Sequence, residues 1–272
     1  MFFLYRILTS CYLLYPTKIK LDRGLGVSGE ERMAHDALVI AAHPDDAEVQ
    51  MGGTIAKLTD AGLRVLIVDL CDGEPADYAG PGVRAEQARE AAKILGADCL
   101  ILDEQDRFIQ DSIRLRLQLA QLIREQRPRW VFGTAEACVH PDHAAVEPLV
   151  TAAVFYARLR KWQQVPGGER LAGSEPWEIT RLFFPHCKME PGWGSDFDFA
   201  VDVSDTYERK KEALAVYRAI FAVAQGDRLL DLYEAEDMHM GRLFGIAYAE
   251  VFKAHSPLLV DDLTVFKPGL HG

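Results

Sequence analysis

A chain of 272 residues, with 49% hydrophobic and 26% charged side chains, is long enough for one large domain or two small ones and can bury a core, which excludes a disordered chain. Its formal net charge of −11 excludes nucleic acid as a general partner, because an acidic surface repels a phosphate backbone. The five cysteines form no C-x-x-C pair and are odd in number, which predicts reduced thiols and a cytoplasmic setting, and no apolar run reaches the roughly 20 residues of a membrane helix.

The chain opens on MFFLYRILTSCYLLYP. This apolar stretch admits a reading as a short signal peptide or anchor. Against it, Arg6 lies inside the stretch and no small-x-small cleavage pattern follows. Residues 1–33 are therefore expected to be a disordered or non-native extension, with Met33 a natural start. Gly24 to Gly29 spells G-x-G-x-x-G. A dinucleotide site needs a strand before that motif and a helix after it; here a polar stretch precedes and a strand follows, so the match is set aside.

Ala37–Ala42 reads as a strand buried on both faces, Gly52–Ala61 as a helix stopped by Gly62, and Arg64–Leu70 as a second buried strand. Cys71–Val83, rich in Gly, Pro and Asp, is a loop. A helix is expected over Arg84–Leu95, a strand over Asp98–Leu102, and a helix over Asp111–Gln126, capped by Asp111 and stopped by Pro128. Arg129–Gly133 is a fourth strand and His143–Lys161 a long helix, with the Arg158–Lys161 charges at its solvated end. Beyond residue 165 the pattern loosens: strands over Arg181–Phe184 and Phe197–Val203, a well-capped helix over Ser204–Phe221, and another over Met238–Lys253. Alternation of strand and helix predicts an α/β fold: a Rossmann-like, mostly parallel sheet with helices on both faces and a C-terminal elaboration, in a single domain over 34–272.

Two motifs stand at the carboxyl ends of strands, where ligands bind in open α/β sheets. The first is His43-Pro44-Asp45-Asp46. His43 and Asp46, three apart, can aim at one point, while neighbouring Asp45 and Asp46 diverge. A capping turn with Asp45 or Asp46 as helix N-cap explains the same residues equally well on this motif alone. The second is His140-Pro141-Asp142-His143. The sheet can bring it beside the first, so that together they offer two imidazoles and a carboxylate for a metal, with groups to spare. Three N/O ligands and an open position describe a catalytic zinc site; Fe2+ suits a two-His, one-carboxylate set as well. Asp142 serves either to orient one of the histidines or to cap the following helix.

AHPDDAEVQMGGT followed by HPDH resembles the zinc-dependent N-acetylglucosaminyl deacetylase family (PIG-L/LmbE-like). The resemblance runs from about Ala37 to Leu263 and takes in Asp72 to Glu74, the Arg84-x-x-Gln87 helix start, and the late GIAYAEVF and PLLVDDL segments, which look nearest to the bacterial deacetylases of bacillithiol biosynthesis acting on N-acetylglucosaminyl malate. It implies a metal-dependent hydrolase of an N-acetylglucosamine conjugate, a small-molecule amino-sugar substrate, and a homo-oligomer as an allowed state. It also implies roles for residues: His43, Asp46 and His143 as Zn2+ ligands, Asp45 as general base, and His140 as oxyanion partner or proton donor, acting when protonated. Arg84 would help hold the substrate. Glu136 to Val139 departs from the family pattern before HPDH, and His186 to Met189 is unmatched, a candidate lining of the pocket. Two further readings stand beside the deacetylase: the same fold and metal used for hydration or hydrolysis of another small polar molecule, and a binding module with a structural metal. A second, unligated carboxylate, Asp45, has no use in the latter.

Overall fold

The uninterrupted apolar run Ala37–Ala41 forms β1, buried along its whole length. It pairs in parallel with β2 (Val65–Cys71) on one side and β4 (Trp130–Gly133) on the other. Beyond β2 lies β3 (Asp98–Glu104), and beyond β4 lies β5 (Arg181–Pro185), both parallel. The sheet is completed by β7 (Ala249–Ala254), antiparallel between β5 and β6 (Phe199–Asp202). The seven-stranded order is β3-β2-β1-β4-β5-β7-β6. The computed structural model describes residues 35–75, 80–134, 140–162, 167–171, 173–186, 197–224 and 228–260. The expected extension over 1–33, the Gly24 to Gly29 motif and Glu136 to Val139 lie outside the described residues, as do Cys187 to Met189 and the end of the PLLVDDL segment.

Side chains alternate across a strand, so a strand apolar at every position must be covered twice. Leu38, Ile40, Leu66 and Val68 face a core shared with α3 (Ile113–Gln126) and α4 (Pro141–Ala157). Ala37, Val39, Ala41, Val65 and Ile67 face the opposite core, filled by α1 (Asp46–Asp60), α2 (Val83–Leu95) and α5 (Tyr207–Ala215). The mostly parallel sheet covered on both faces is the expected one.

The departures have physical causes. The helix expected from Gly52 begins at Asp46; Met51, at φ −148°, kinks it, so the expected span matches its second segment. Asp111 does not cap α3. It pairs with Arg116, and Ser112 Oγ accepts from Leu115 N at 3.2 Å. The single helix expected over 204–221 starts later, at Tyr207, since Ser204 Oγ is engaged by the amides of Ala247 and Tyr248, and it divides into α5 and α6 (Arg218–Ala224) where the amides of Val216 and Tyr217 turn back to the carbonyls of Ala213 and Leu214. The helix expected over Met238–Lys253 holds only as far as Leu243. A helix, α7 (Arg228–Leu243), ends there, and the chain reverses at Gly245, φ 72°, into β7. Gly241 allows that return: a Cβ would lie 2.6 Å from the Ala247 carbonyl oxygen.

The kink in α1 leaves the amides of Gly53 and Thr54 to be satisfied from elsewhere. Glu250 of β7 accepts both, at 2.9 and 2.7 Å. Glu250 is in turn bound at 2.7 Å by Lys210 of α5, which also binds Asp237 of α7 at 2.7 Å, and all three side chains are buried. Burial opposes the Lys210 charge, but the two carboxylates outweigh it and raise its pKa. Gly52 makes room for this lysine, since a Cβ there would stand 3.0 Å from Lys210 Cγ. Removing one member of a buried charge cluster strands the others, at about 3–5 kcal/mol. Lys210→Met is therefore expected to lower the unfolding free energy by about that amount in a denaturant titration at pH 7. A loss under about 1 kcal/mol would show that the triad does not hold α1, α5, α7 and β7 together.

Candidate active site

From β1 the chain moves outward to β2 and β3, then crosses to the other side of β1 to form β4. Loops leaving a parallel sheet on either side of such a reversal diverge and open a crevice. The His43 to Asp46 turn leaves β1, and His140 to His143 opens α4 after β4, so both motifs front that crevice.

The turn after β1 separates the neighbouring aspartates. Asp45 occupies the N-cap position of α1 at φ 107° but makes no capping hydrogen bond. For a residue bearing a Cβ that conformation costs on the order of 1–2 kcal/mol. The capping-turn explanation of Asp45 therefore fails. Asp46, the first helical residue, accepts from its own turn, His43 N to Oδ2 at 2.9 Å, and places Oδ1 3.1 Å from His143 Nε2. Asp45 faces a different partner: its Oδ2 lies 3.9 Å from Arg84 Nη2.

His43 Nδ1 lies 3.2 Å from His143 Nε2 and 3.4 Å from Asp46 Oδ2. Donors held at about 2.0–2.2 Å from a tetrahedral ion stand roughly 3.3 Å apart, so these three groups, with one Asp46 oxygen toward each histidine, have the spacing and the donor chemistry for a divalent cation. His140 stands beside them, its ring centroid 4.8 Å from that of His43 and 5.0 Å from that of His143. Donor atoms of His43, His140 and His143 converge within 4.8 Å of one another, and so do those of His43, Asp106, His140 and Asp142.

The second nitrogen of His43 is fixed by carboxylates. Nε2 donates to Asp142 Oδ2 at 3.0 Å, with Asp106 Oδ1 at 3.2 Å. A proton on Nε2 leaves the Nδ1 lone pair turned toward His143 and Asp46. Asp142 accepts as well from the amides of Arg107, at 2.7 Å, and Ile109, at 3.2 Å. Of the two roles open to Asp142, orienting a histidine is the one it has. The cap of α4 is His140, whose Nδ1 accepts from Asp142 N at 3.2 Å.

Electrostatics divide the acids. Burial opposes the charge of Asp46, but His143 and His43 outweigh it and hold the carboxyl far below its ordinary range. Asp45 goes the other way: burial, then the charge of Asp46, push it up to about 7, against the pull of Arg84. Beneath it lie two more buried acids. Glu48 is pushed up to about 8 by burial, and Asp69 well above its usual range by burial and Glu48; Tyr217 donates to Glu48 Oε1 at 3.2 Å. For His140, burial and the neighbouring imidazoles lower the pKa from 6.5.

Arg84 donates to the Gly73 carbonyl at 2.9 Å and the Pro44 carbonyl at 3.0 Å, tying the loop after β2 to the turn after β1. Gly73, at φ 69°, is required there, because a Cβ would fall 2.3 Å from the guanidinium. All six residues expected from the sequence, His43, Asp45, Asp46, Arg84, His140 and His143, converge on this crevice. Sequence reasoning missed Asp106, Glu48, Asp69 and Tyr217. A signal existed for Asp106: Gln105 to Arg107 is a polar run directly after a strand, at the edge where ligands bind.

Residues 38–154 match the PIG-L family, described as GlcNAc-PI de-N-acetylase. Diacetylchitobiose deacetylase of Thermococcus kodakarensis is 28% identical over 78% of this chain and 80% of its own length. The 4-oxalmesaconate hydratase of Pseudomonas putida is 25% identical over 84% of this chain and 92% of its own. Among solved structures, a conserved protein of Thermus thermophilus is 36% identical and superposes with a TM-score of 0.72, covering 83% of this chain and 96% of that one. Over the described fold and the paired motifs that line its crevice, the chain belongs to the PIG-L family.

Proposed function

We propose that this chain is a metal-dependent N-deacetylase that hydrolyses the acetamide of an N-acetylglucosamine conjugate to acetate and a free amine. The observation that carries the reading is Asp45: a carboxylate beside the His43–Asp46–His143 triangle, facing Arg84 rather than the triangle, and held by a strained backbone. A structural metal needs no such group, whereas a hydrolase needs a base. The names of the matched family and of the Thermococcus relative support the substrate class. The malate aglycone rests on the late sequence segments alone.

Zn2+ is the proposed ion, with Fe2+ suited to the same donors, on His43 Nδ1, His143 Nε2 and Asp46. Bound there, a divalent cation supplies a Lewis acid that polarises the amide carbonyl and acidifies water. Asp45 takes the proton of the attacking water at a carboxylate oxygen, help typically worth about 10²–10⁴-fold, and that proton is then available to the departing amine. His140 has its Nδ1 occupied by Asp142 N, so its neutral form carries hydrogen on Nε2 and can donate to the developing oxyanion without being protonated. This replaces the protonated His140 expected from the sequence, since the surroundings of the ring lower its pKa. Arg84 holds the turn that carries Asp45, with two of its donors on backbone carbonyls; contact with substrate is proposed as its second role. A cytoplasmic setting agrees with the free thiols of Cys71 and Cys99, and no helix of the described residues is long and apolar enough to cross a membrane.

A second reading, hydration of another small polar molecule, is favoured by the Pseudomonas relative. Acetate release separates the two. Zinc-loaded protein incubated with GlcNAc-malate, GlcNAc-inositol and free GlcNAc is expected to release acetate from at least one, and His43→Ala to lose most of its metal. Fully metal-loaded protein that releases acetate from none contradicts the deacetylase. Because Asp45 must be ionised to act and sits near 7, kcat/KM is expected to rise with pH along a limb at or below about pH 7, falling about tenfold per unit beneath it. A rate unchanged from pH 8 down to pH 4.5 removes Asp45 as the base.

A further inference from the structure

The imidazole of His43 meets two carboxylates at one nitrogen. Asp142 Oδ2 lies 3.0 Å from Nε2, and Asp106 Oδ1 lies 3.2 Å from it. A single ring proton serves one acceptor well, and here it is directed to Asp142. The second carboxylate calls for another explanation.

The two acids differ in what else they touch. Asp142, at the start of α4, also receives the amides of Arg107 and Ile109, at 2.7 and 3.2 Å. Those bonds hold the turn after β3 against α4. Asp106 belongs to that turn and braces nothing. Its side chain is 7% exposed, and among the described residues no group donates a hydrogen bond to its carboxylate. Its neighbours within ion-pair distance are the His43 ring and, 3.9 Å from Oδ2, Nε of Arg107, whose side chain is 60% exposed. Donor atoms of Asp106 and Asp142 lie within 4.8 Å of each other, so their charges repel. A buried carboxylate without hydrogen bonds, beside a second one, costs free energy in the fold alone. Positive charge on the His43 ring offsets that cost, and a divalent cation at Nδ1 puts it there.

We infer that Asp106 is a positioning residue for the metal: it strengthens His43 as a ligand through charge, whereas Asp142 aims the ring and braces the fold. The inference rests on the metal centre of the proposed function and not on its substrate. A carboxylate behind the far nitrogen of a metal-bound imidazole raises the basicity of the near one, and such partners are typically worth about 10–100-fold in metal affinity. Since Asp106 gives the metal-free fold no hydrogen bond, loss of its charge weakens the hold on the ion and spares the apoprotein.

The test pairs two measurements on the same full-length preparations: zinc affinity by competition with a chromophoric chelator, and thermal unfolding of the metal-free chain. Asp106→Asn keeps the size of the side chain and removes its charge. It is expected to weaken zinc about 10–100-fold while the metal-free Tm stays within about 2 °C of wild type or rises. The rise in Tm on adding zinc shrinks accordingly. Asp142→Ala is expected to lower the metal-free Tm as well as the affinity, because two amides lose their acceptor. A zinc affinity in Asp106→Asn within about threefold of wild type overturns the inference. So does a metal-free Tm that falls as far as that of Asp142→Ala, which would make Asp106 a brace of the fold. A wild-type chain that holds no zinc refutes the metal centre and the inference with it. Acetate release plays no part, so a failed deacetylase assignment leaves the result standing.

Discussion

The carboxylate of Asp142 is the joint on which the site depends. One oxygen receives the His43 imidazole and the Arg107 amide, and the other receives the Ile109 amide. Two segments that leave the sheet from different strands, the turns after β1 and β3, are thereby fixed to one buried group at the start of α4. The consequence is chemical as well as mechanical. With a carboxylate at Nε2, the His43 lone pair must be on Nδ1, where His143 and Asp46 complete a triangle of metal-sized edges. Neither HPDD nor HPDH forms that triangle alone; the parallel pairing of β1 with β4 brings them together.

The site is built against local stability. Asp45 and Arg107 are held at positive φ, and Asp45, Glu48 and Asp69 are acids whose charged forms burial disfavours. Such features persist only where the surroundings over-determine them. The surroundings here are the double-sided core and the buried Lys210 triad, which satisfies the kinked segment of the very helix whose first turn carries Asp46. The kink at Met51 thus separates the short turn that carries Asp46 from the helix body, and Glu250 supplies the hydrogen bonds that the interruption removes.

The parallel half of the fold was legible because its strands are continuously apolar and its helices are punctuated by Gly62, Gly96 and Pro128. The site was legible because His, Pro and Asp directly after buried strands have little structural use. What could not be read depends on contacts distant in sequence. The apolar GIAYAEVF run that leads into β7 is compatible with a helix, and the close return past Gly241 and the pairing with β5 and β6 decide it. The role of Asp142 was ambiguous for the same reason: its partners, Arg107 and Ile109, lie on another loop. Glu48, Asp69 and Tyr217 come from α1, β2 and the segment between α5 and α6, and no local pattern joins them.

The central claim is a division of labour between adjacent aspartates, Asp46 on the metal and Asp45 on the proton. Asp45→Asn separates them, because the amide keeps the size of the side chain but cannot take a proton at neutral pH. Metal content and turnover measured on one preparation decide the matter. The account predicts a metal-to-protein ratio equal to wild type and a kcat lower by about 10²–10⁴-fold. Loss of the metal together with the activity would make Asp45 a ligand and contradict it.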